Sequence, residues 1–253
     1  MRLPRLAVFC LVLLITASCK NIFGPKNFEK DLNWNIRERQ HFIFYVRSNS
    51  FAEQNIDTLI QILESHYAYV LNTLELNYSG IISVYIYNSP EDIGTEYCGG
   101  SAYPRTETVK VVCSPICGGV STAAPHEIVH VIAKNALGEP GTFFLNEGLA
   151  VALEETRLGM HLHDWTKKFI EEKRLPSLNT LIDNSRWFDI AYEISYPVSG
   201  SFVNYLINMY GAYNIKELFY RANSSNFLKE FQNIYCKSLE EVEAEWKTYC
   251  LNW

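Results

Sequence analysis

The sequence of 253 residues has no basic run and no excess of basic residues. It carries 22 Lys and Arg against 28 Asp and Glu, a formal net charge of −6, which excludes nucleic acid as an expected partner. Charged residues reach only 20% and hydrophobic residues 48%, a balance that excludes a disordered chain. Apolar runs are short: LAVFCLVLLIT has eleven residues, whereas a bilayer-spanning helix needs about 20. We therefore expect one sizeable globular domain.

The N-terminus has the organisation of an export signal. The basic segment MRLPR precedes the apolar run, and small residues precede Cys19. We interpret residues 1–18 as a signal peptide, residues 19–39 as a polar tether and residues 40–253 as the folded domain. The run TASC resembles a bacterial lipoprotein cleavage site, which implies lipidation of Cys19, and ordinary signal cleavage is the alternative. Lipidation predicts an exported protein anchored to a membrane of the bacterial cell envelope.

Five cysteines remain once the two N-terminal ones are set aside, an odd number in a chain for which export permits disulfides. Cys236 and Cys250 lie fourteen residues apart, and a disulfide between them would stabilise the fold by about 3 kcal/mol. Cys98, Cys113 and Cys117 cannot all pair with one another. Their spacing favours buried thiols, or one disulfide plus one thiol, over a second metal site.

Hydrophobic patterning predicts strands followed by helices. Residues 41–46, 81–87 and 108–113 are rich in β-branched and aromatic side chains, which is typical of strands. From Phe51 to Leu76 apolar residues recur at intervals of three and four, which indicates an amphipathic helix. Further helices are predicted at 122–137, 143–158, 162–173, 197–210, 214–222, 226–235 and 239–250. This order of elements predicts the α+β class.

The segment 125-PHEIVH-130 carries the clearest chemical signal. In a helix His126 and His130 lie one turn apart on one face, a separation at which two imidazoles can bind one Zn²⁺ at about 2.0–2.1 Å. Glu127 lies beside them, where a carboxylate can accept a proton from a metal-activated water. The neighbouring residues are apolar, so the helix is buried and its polar side chains need a partner such as a metal ion.

A catalytic zinc site of this kind needs a third protein ligand and leaves the fourth position to water. Glu147, in 144-FLNEGLA-150, is the best candidate because a short Gly/Pro turn brings its helix back beside the first. The ordinary alternative is an acidic residue near a helix N-terminus, where the macrodipole favours it. Glu154 and Glu155 on the same helix are not expected to contribute to metal binding.

The combination of HEIVH and NEGLA resembles the gluzincin zinc metallopeptidases. Much of residues 40–250 resembles the bacterial peptidase-MA-like domains of that clan, including 196-YPVSGSFVNYLINMYG-211 and 238-SLEEVEAEW-246. The resemblance implies a zincin-like fold: a small mixed sheet with an active-site helix, followed by a helical C-terminal subdomain.

The resemblance also assigns roles to the two motifs. It implies that His126, His130 and Glu147 bind zinc and that Glu127 is the general base of peptide-bond hydrolysis. The chain is thus predicted to be an exported zinc-dependent peptidase that acts on peptides or proteins. The main alternative is a surface lipoprotein module that keeps the fold and the zinc without catalysis, and a weaker one is an adhesin in which HEIVH is structural. The Gly-x-Met-x-Asn segment of the aminopeptidase branch is not found upstream of HEIVH, so that activity is not implied.

Three further expectations concern the surroundings of the site. Gluzincins commonly use a tyrosine to stabilise the oxyanion; Tyr196 is preferred to Tyr192 because it matches the family run and Pro197 would begin the helix after it. The strand 108–113 is expected to be the edge that pairs with an extended peptide. Thermolysin-like members have an aspartate four residues after the third ligand, and Val151 stands there in this chain, so another residue must support the ligands.

Overall fold

A computed structural model describes residues 33–120, 122–157 and 159–253. The predicted signal peptide, the predicted lipidation site Cys19 and most of the predicted tether lie outside the described residues. The described strands are β1 Trp34–Glu38, β2 Phe42–Arg47, β3 Ile82–Tyr87, β4 Gly100–Tyr103, β5 Thr108–Val112, β6 Thr156–Arg157 and β7 Met160–His161. The described helices are α1 Phe51–Gln54, α2 Ile56–Leu74, α3 Ala124–Leu137, α4 Phe143–Ala152, α5 Leu162–Glu171, α6 Leu178–Ile182, α7 Tyr192–Tyr210, α8 Ala212–Arg221, α9 Phe227–Tyr235 and α10 Leu239–Asn252. The fold is mixed α+β, as the patterning predicts.

Five strands form one sheet in the order β1-β2-β3-β5-β4. β2 and β3 run parallel, as do β3 and β5. β1 pairs antiparallel with β2, β4 pairs antiparallel with β5, and these two strands form the edges of the sheet. The prediction that the strand at 108–113 is an edge is wrong, because β5 lies between β3 and β4. β4 escaped detection since its sequence, GSAY, has no run of β-branched residues.

The strand β1 lies in the stretch predicted to be an irregular tether. It pairs with β2, so the tether prediction is wrong for residues 34–38. The sequence WNIRE shows little apolar alternation, and the contacts that hold it are tertiary. The ring of Trp34 meets Tyr85 and Tyr87 of β3 edge-on, with ring centroids 5.5 and 5.3 Å apart.

The helix α3 lies at the centre of the fold, where it packs against β4, β5, α2 and α4. Its apolar side chains are fully or almost fully buried, as the sequence predicts: Ile128, Val129, Val131, Ile132 and Ala133. The helix α4 follows after a short turn and packs along α7. This arrangement packs α3 between α4 and the edge strand β4, with α7 on α4. Within the described part of the chain, no helix combines the length and apolarity needed to cross a bilayer.

Among the differences between predicted and observed helix bounds, two affect the site. α4 ends at Ala152, because Glu155 adopts a left-handed backbone conformation with φ of 60° and the chain turns into the hairpin β6–β7. α7 begins at Tyr192, five residues before the predicted start at Pro197. Both differences change which side chains reach the site.

Candidate metal centre

The helix α3 begins and ends with local signals that place its two histidines. The Thr122 hydroxyl accepts a hydrogen bond from the backbone N–H of Ala124 at 3.1 Å. Gly138 ends the helix with φ of 92°, a conformation that favours glycine. Between these ends, His126 and His130 share one face, and their Nε2 atoms lie 3.1 Å apart.

Glu147 reaches the two histidines from α4. Thr142 caps this helix by accepting a hydrogen bond from the backbone N–H of Leu145 at 3.1 Å. The Oε2 atom of Glu147 lies 3.3 Å from Nε2 of His126 and 3.5 Å from Nε2 of His130. The three side chains are 10–14% exposed, so a narrow opening to solvent remains.

These three donor atoms fit one metal ion. Two ligands at about 2.0–2.1 Å from a tetrahedral zinc ion lie about 3.3 Å from each other. The three observed separations are 3.1, 3.3 and 3.5 Å. Two imidazoles and one carboxylate are also ligand types of catalytic zinc sites. Across the residues that the structure describes, this is the only group of three such side chains with donor atoms within 4.8 Å of one another.

Two neighbouring residues orient the donor atoms. Glu154 Oε1 lies 2.6 Å from Nδ1 of His126, so Nδ1 donates its proton there and Nε2 is left facing the other two donors. The Asn146 amide donates to Oε1 of Glu147 at 2.8 Å, which leaves Oε2 facing the histidines.

Glu154 is not expected from the sequence to contribute to metal binding, yet its carboxylate contacts His126. It provides an acidic partner beside the candidate ligands, which Val151 cannot. The sequence contained a signal for this contact, because in the helix predicted at 143–158 the seven residues from Glu147 to Glu154 make about two turns and would place both on one face.

A family model of the Peptidase MA superfamily matches residues 72–252. The chain belongs to the Peptidase MA superfamily. The match runs from α2 to α10 and includes the whole His–His–Glu group, so the family resemblance seen in the sequence is confirmed at this level. A search of curated proteins found no match.

In this member of the superfamily, the glutamate between the two histidines is held by the edge strand. Glu127 is 9% exposed. A Cβ atom added to Gly100 of β4 would lie 2.7 Å from Cγ of Glu127 and 2.8 Å from Cγ1 of Val111, too close for either contact. The backbone of β4 thus packs directly on Glu127 because residue 100 has no side chain.

The electrostatics of the site favour a cation. Burial disfavours the charged form of His126, but hydrogen bonds with Glu147 and Glu154 outweigh it and raise the pKa of His126 to about 10. Burial likewise disfavours the ionised form of Glu147, yet the adjacent imidazoles of His130 and His126 hold its pKa well below the ordinary value. Burial raises the pKa of Glu127, against the opposing effect of both histidines. Three carboxylates around two imidazoles make a group whose negative charge a metal cation would balance.

The structure distinguishes between Tyr196 and Tyr192, the two candidates for the oxyanion donor. The ring of Tyr196 lies 6.3 Å from the ring of His126, centroid to centroid. Tyr192 is 60% exposed. Burial and the Glu147 carboxylate raise the pKa of Tyr196 against the effect of Arg157, so its hydroxyl keeps the proton that a hydrogen-bond donor needs.

The prediction that Tyr196 caps α7 is wrong, because Tyr196 and Pro197 both lie inside this helix. Pro197 has no N–H to donate to the carbonyl of Glu193, four residues earlier. Glu193 is exposed, so water can satisfy that carbonyl and the helix can begin one turn before the proline. Tyr196 therefore reaches the site from within α7 and not from the loop before it.

Of the two predictions about the cysteines, one is confirmed and the other is wrong. Cys98 and Cys117 form a disulfide and Cys113 is a buried thiol, which confirms the alternative of one disulfide plus one thiol. The predicted pair Cys236–Cys250 is wrong, because both are free. Cys236 is exposed at the end of α9, while Cys250 lies on the buried face of α10. Sequence spacing fixes the size of a loop but not the direction in which a thiol points.

Proposed function

We propose that this member of the superfamily is an exported zinc-dependent peptidase of the gluzincin type. The observation that carries the proposal is the group of three donor atoms on His126, His130 and Glu147, with a buried Glu127 beside it. A site that served only to hold a metal would have no use for a further buried carboxylate with a raised pKa.

Each side chain has a defined part in the proposed reaction. When held by the two histidines and Glu147, zinc would supply Lewis acidity toward the scissile carbonyl and lower the pKa of water toward about 7. Glu127 accepts the proton of the attacking water and passes it to the leaving amine nitrogen, and its raised pKa suits both transfers. Tyr196 donates a hydrogen bond to the carbonyl oxygen as negative charge develops there.

The edge strand β4 offers a place for the substrate. It is the last strand of the sheet, and Gly100 brings its backbone against Glu127. An extended peptide that added a strand to this edge would present its backbone carbonyl groups beside the general base. This supports peptides or proteins as the substrate class, and it moves the proposed docking edge from β5 to β4.

The metal and the base are tested together on protein that comprises residues 20–253. Elemental analysis should give about one zinc per chain, as expected for a single three-ligand site. Glu127→Gln should keep the zinc and lose about 10²–10⁴-fold in cleavage of a peptide library, because it removes the base and no ligand. Glu147→Ala should lose zinc.

Two results would contradict the proposal. A zinc content near zero that does not recover on reconstitution would exclude the metallopeptidase. A zinc-containing protein that cleaves no peptide in the library, with wild type and Glu127→Gln indistinguishable, would indicate the non-catalytic zinc-binding lipoprotein module.

We also propose that the mature chain is anchored through a lipid on Cys19 in the bacterial cell envelope. The support is the export-signal organisation of residues 1–19. The full chain, expressed in bacteria, should partition into the detergent phase on Triton X-114 extraction, and Cys19→Ser should partition into the aqueous phase. Wild-type protein in the aqueous phase would exclude the anchor.

A further inference from the structure

Arg157 lies beside the metal centre without belonging to it. It ends β6, just after α4, and pairs with Met160 across the β6–β7 hairpin. Its backbone carbonyl accepts a hydrogen bond from the Trp165 indole N–H at 2.9 Å, which ties the hairpin to α5. Its side chain is only 23% exposed. The hairpin therefore holds the arginine in a restricted position.

The guanidinium of Arg157 contacts two side chains from different parts of the fold. Its central carbon lies 5.0 Å from the centroid of the Tyr196 ring on α7, a cation–π distance. Its Nη1 lies 3.7 Å from Oε2 of Glu154 near the end of α4. The same Glu154 uses its other oxygen to accept from Nδ1 of His126 at 2.6 Å.

We propose that Arg157 is a positioning residue that holds Tyr196 and, through Glu154, His126 in their places at the metal centre. The proposal deepens the proposed function and rests on it for the role of Tyr196. A planar guanidinium can lie over an aromatic ring while its N–H groups reach a carboxylate, whereas the ammonium of lysine acts as a point charge on a flexible stem.

The two contacts predict two separate effects. Without the cation over its ring, Tyr196 is free to move from the point at which its hydroxyl meets the developing charge, so turnover falls. Without its second partner, the Glu154 carboxylate is free to rotate away from His126, so zinc binding weakens. Partners of metal ligands commonly change metal affinity or activity by about 10–100-fold, and Arg157 acts one contact further out. We therefore expect kcat and zinc affinity each to fall by about 10-fold.

The test compares Arg157→Gln with Arg174→Gln. Arg174 makes the same two kinds of contact elsewhere: its guanidinium lies 5.7 Å from the Phe169 ring centroid and 2.9 Å from Glu172. Arg157→Gln should lower kcat about 10-fold with KM little changed, and raise the zinc dissociation constant, measured by chelator competition, by a similar factor. Arg174→Gln should change neither quantity.

Double variants show whether Arg157 acts through its two partners. In a Tyr196→Phe background, Arg157→Gln should cause little further loss of kcat, because the hydroxyl it positions is gone. In a Glu154→Gln background, it should cause little further loss of zinc affinity. Losses that persist undiminished in both backgrounds would overturn the proposal and assign Arg157 a direct contact with substrate or metal.

Two further measurements keep the outcome unambiguous. Arg157→Lys keeps the charge but not the planar fork, and it should recover only part of both losses; full recovery would contradict the positioning role. If Arg157→Gln does not fold, as judged by circular dichroism, Arg157→Lys carries the comparison. The zinc-affinity arm does not depend on peptide cleavage, so it tests Arg157 even if Glu127→Gln shows that the peptidase proposal is wrong.

Discussion

At the scale of single residues, the side chains of the site are oriented by their immediate neighbours. His126 has a partner on each ring nitrogen, with Glu154 at 2.6 Å from Nδ1 and the other donors facing Nε2. The side chain of Glu127 is buried against the backbone of β4 at Gly100. The proposed ligands are thus oriented by polar contacts, and the proposed base by packing.

The first prediction at this scale concerns the Tyr196 hydroxyl. Tyr196→Phe removes only this group and should lower turnover about 10²–10³-fold, the usual loss for one oxyanion donor, with zinc content and fold unchanged. Steady-state cleavage kinetics and elemental analysis measure the two effects. Tyr192→Phe, on the exposed first residue of α7, is the matched control. Full activity in Tyr196→Phe would show that the site works without this tyrosine.

The second prediction concerns the space that Gly100 leaves for Glu127. Gly100→Ala adds a Cβ that would lie 2.7 Å from Cγ of Glu127, so the carboxylate must shift. A displacement of this size should cost about 10–100-fold in kcat and leave the zinc content unchanged, since no ligand moves. Gly99→Ala is the control, because an added Cβ there meets no atom within 4 Å. Equal kcat values for the two variants would refute close packing on Glu127.

At the scale of elements, the close approach of α4 and α7 brings the proposed ligand Glu147 and the side chain of Tyr196 to one centre. Glycines permit this approach. A Cβ on Gly148 of α4 would lie 3.0 Å from Cγ2 of Val203, and a Cβ on Gly200 of α7 would lie 2.4 Å from Cγ1 of Val151. The glycines of NEGLA and of VSGSF thus have a packing role, since a larger residue would separate the two helices.

Glu154 lies two residues beyond the end of α4, and its contact with His126 of α3 gives the prediction at the element scale. Glu154→Ala should weaken zinc binding about 10–100-fold by releasing Nδ1 of His126. Chelator competition on purified protein measures it. Glu155→Ala should bind zinc normally, because Glu155 instead accepts a hydrogen bond from Tyr69 of α2 at 2.6 Å. Equal affinities for the two variants would remove Glu154 from the metal centre.

At the scale of the whole molecule, a buried polar network joins helices of the C-terminal half. His163 of α5 is fully buried, and its Nδ1 lies 2.8 Å from Oγ of Ser201 of α7. Trp246 of α10 donates its indole N–H to the same oxygen at 3.0 Å. Cys250 of α10 lies 3.6 Å from Nδ1 of His163. These contacts link three helices around a histidine that must stay neutral.

This network makes stability depend on pH. Burial lowers the pKa of His163 from 6.5 to about 4, and the neighbouring His161 adds to the shift. Below pH 6.5 His163 takes up a proton in the unfolded chain but stays neutral in the folded chain. The contribution of this group to stability is therefore fully present above pH 6.5 and is lost as the pH falls toward 4. Between pH 8 and pH 5 this one group should remove about 2 kcal/mol from the free energy of unfolding.

Urea denaturation at several pH values checks this prediction. His163→Gln should have a flatter dependence on pH than the wild type over this range, because its side chain does not titrate. His41→Gln, a histidine that pairs with Glu64 elsewhere in the molecule, is the control. If His163→Gln follows the same pH dependence as the wild type, His163 is not the group responsible.

The amino-acid sequence alone determined the features that depend on local geometry. The i, i+4 spacing of His126 and His130 fixes their common face once the segment is helical, and the burial of that helix follows from its apolar neighbours. Thr122 and Gly138 mark its ends. Glu147 was also within reach of the sequence, because a short turn between two helices leaves few ways for them to pack.

Only the tertiary structure decided which distant groups meet. The order of strands in the sheet made β4 the edge, although its four residues carry almost no strand signal. Tertiary packing brought Glu154 to His126 and Arg157 to Tyr196. The course of α10 placed Cys250 in the core and not beside Cys236. Such contacts depend on how whole elements fit together, because their energy arises from surfaces that are far apart in the chain.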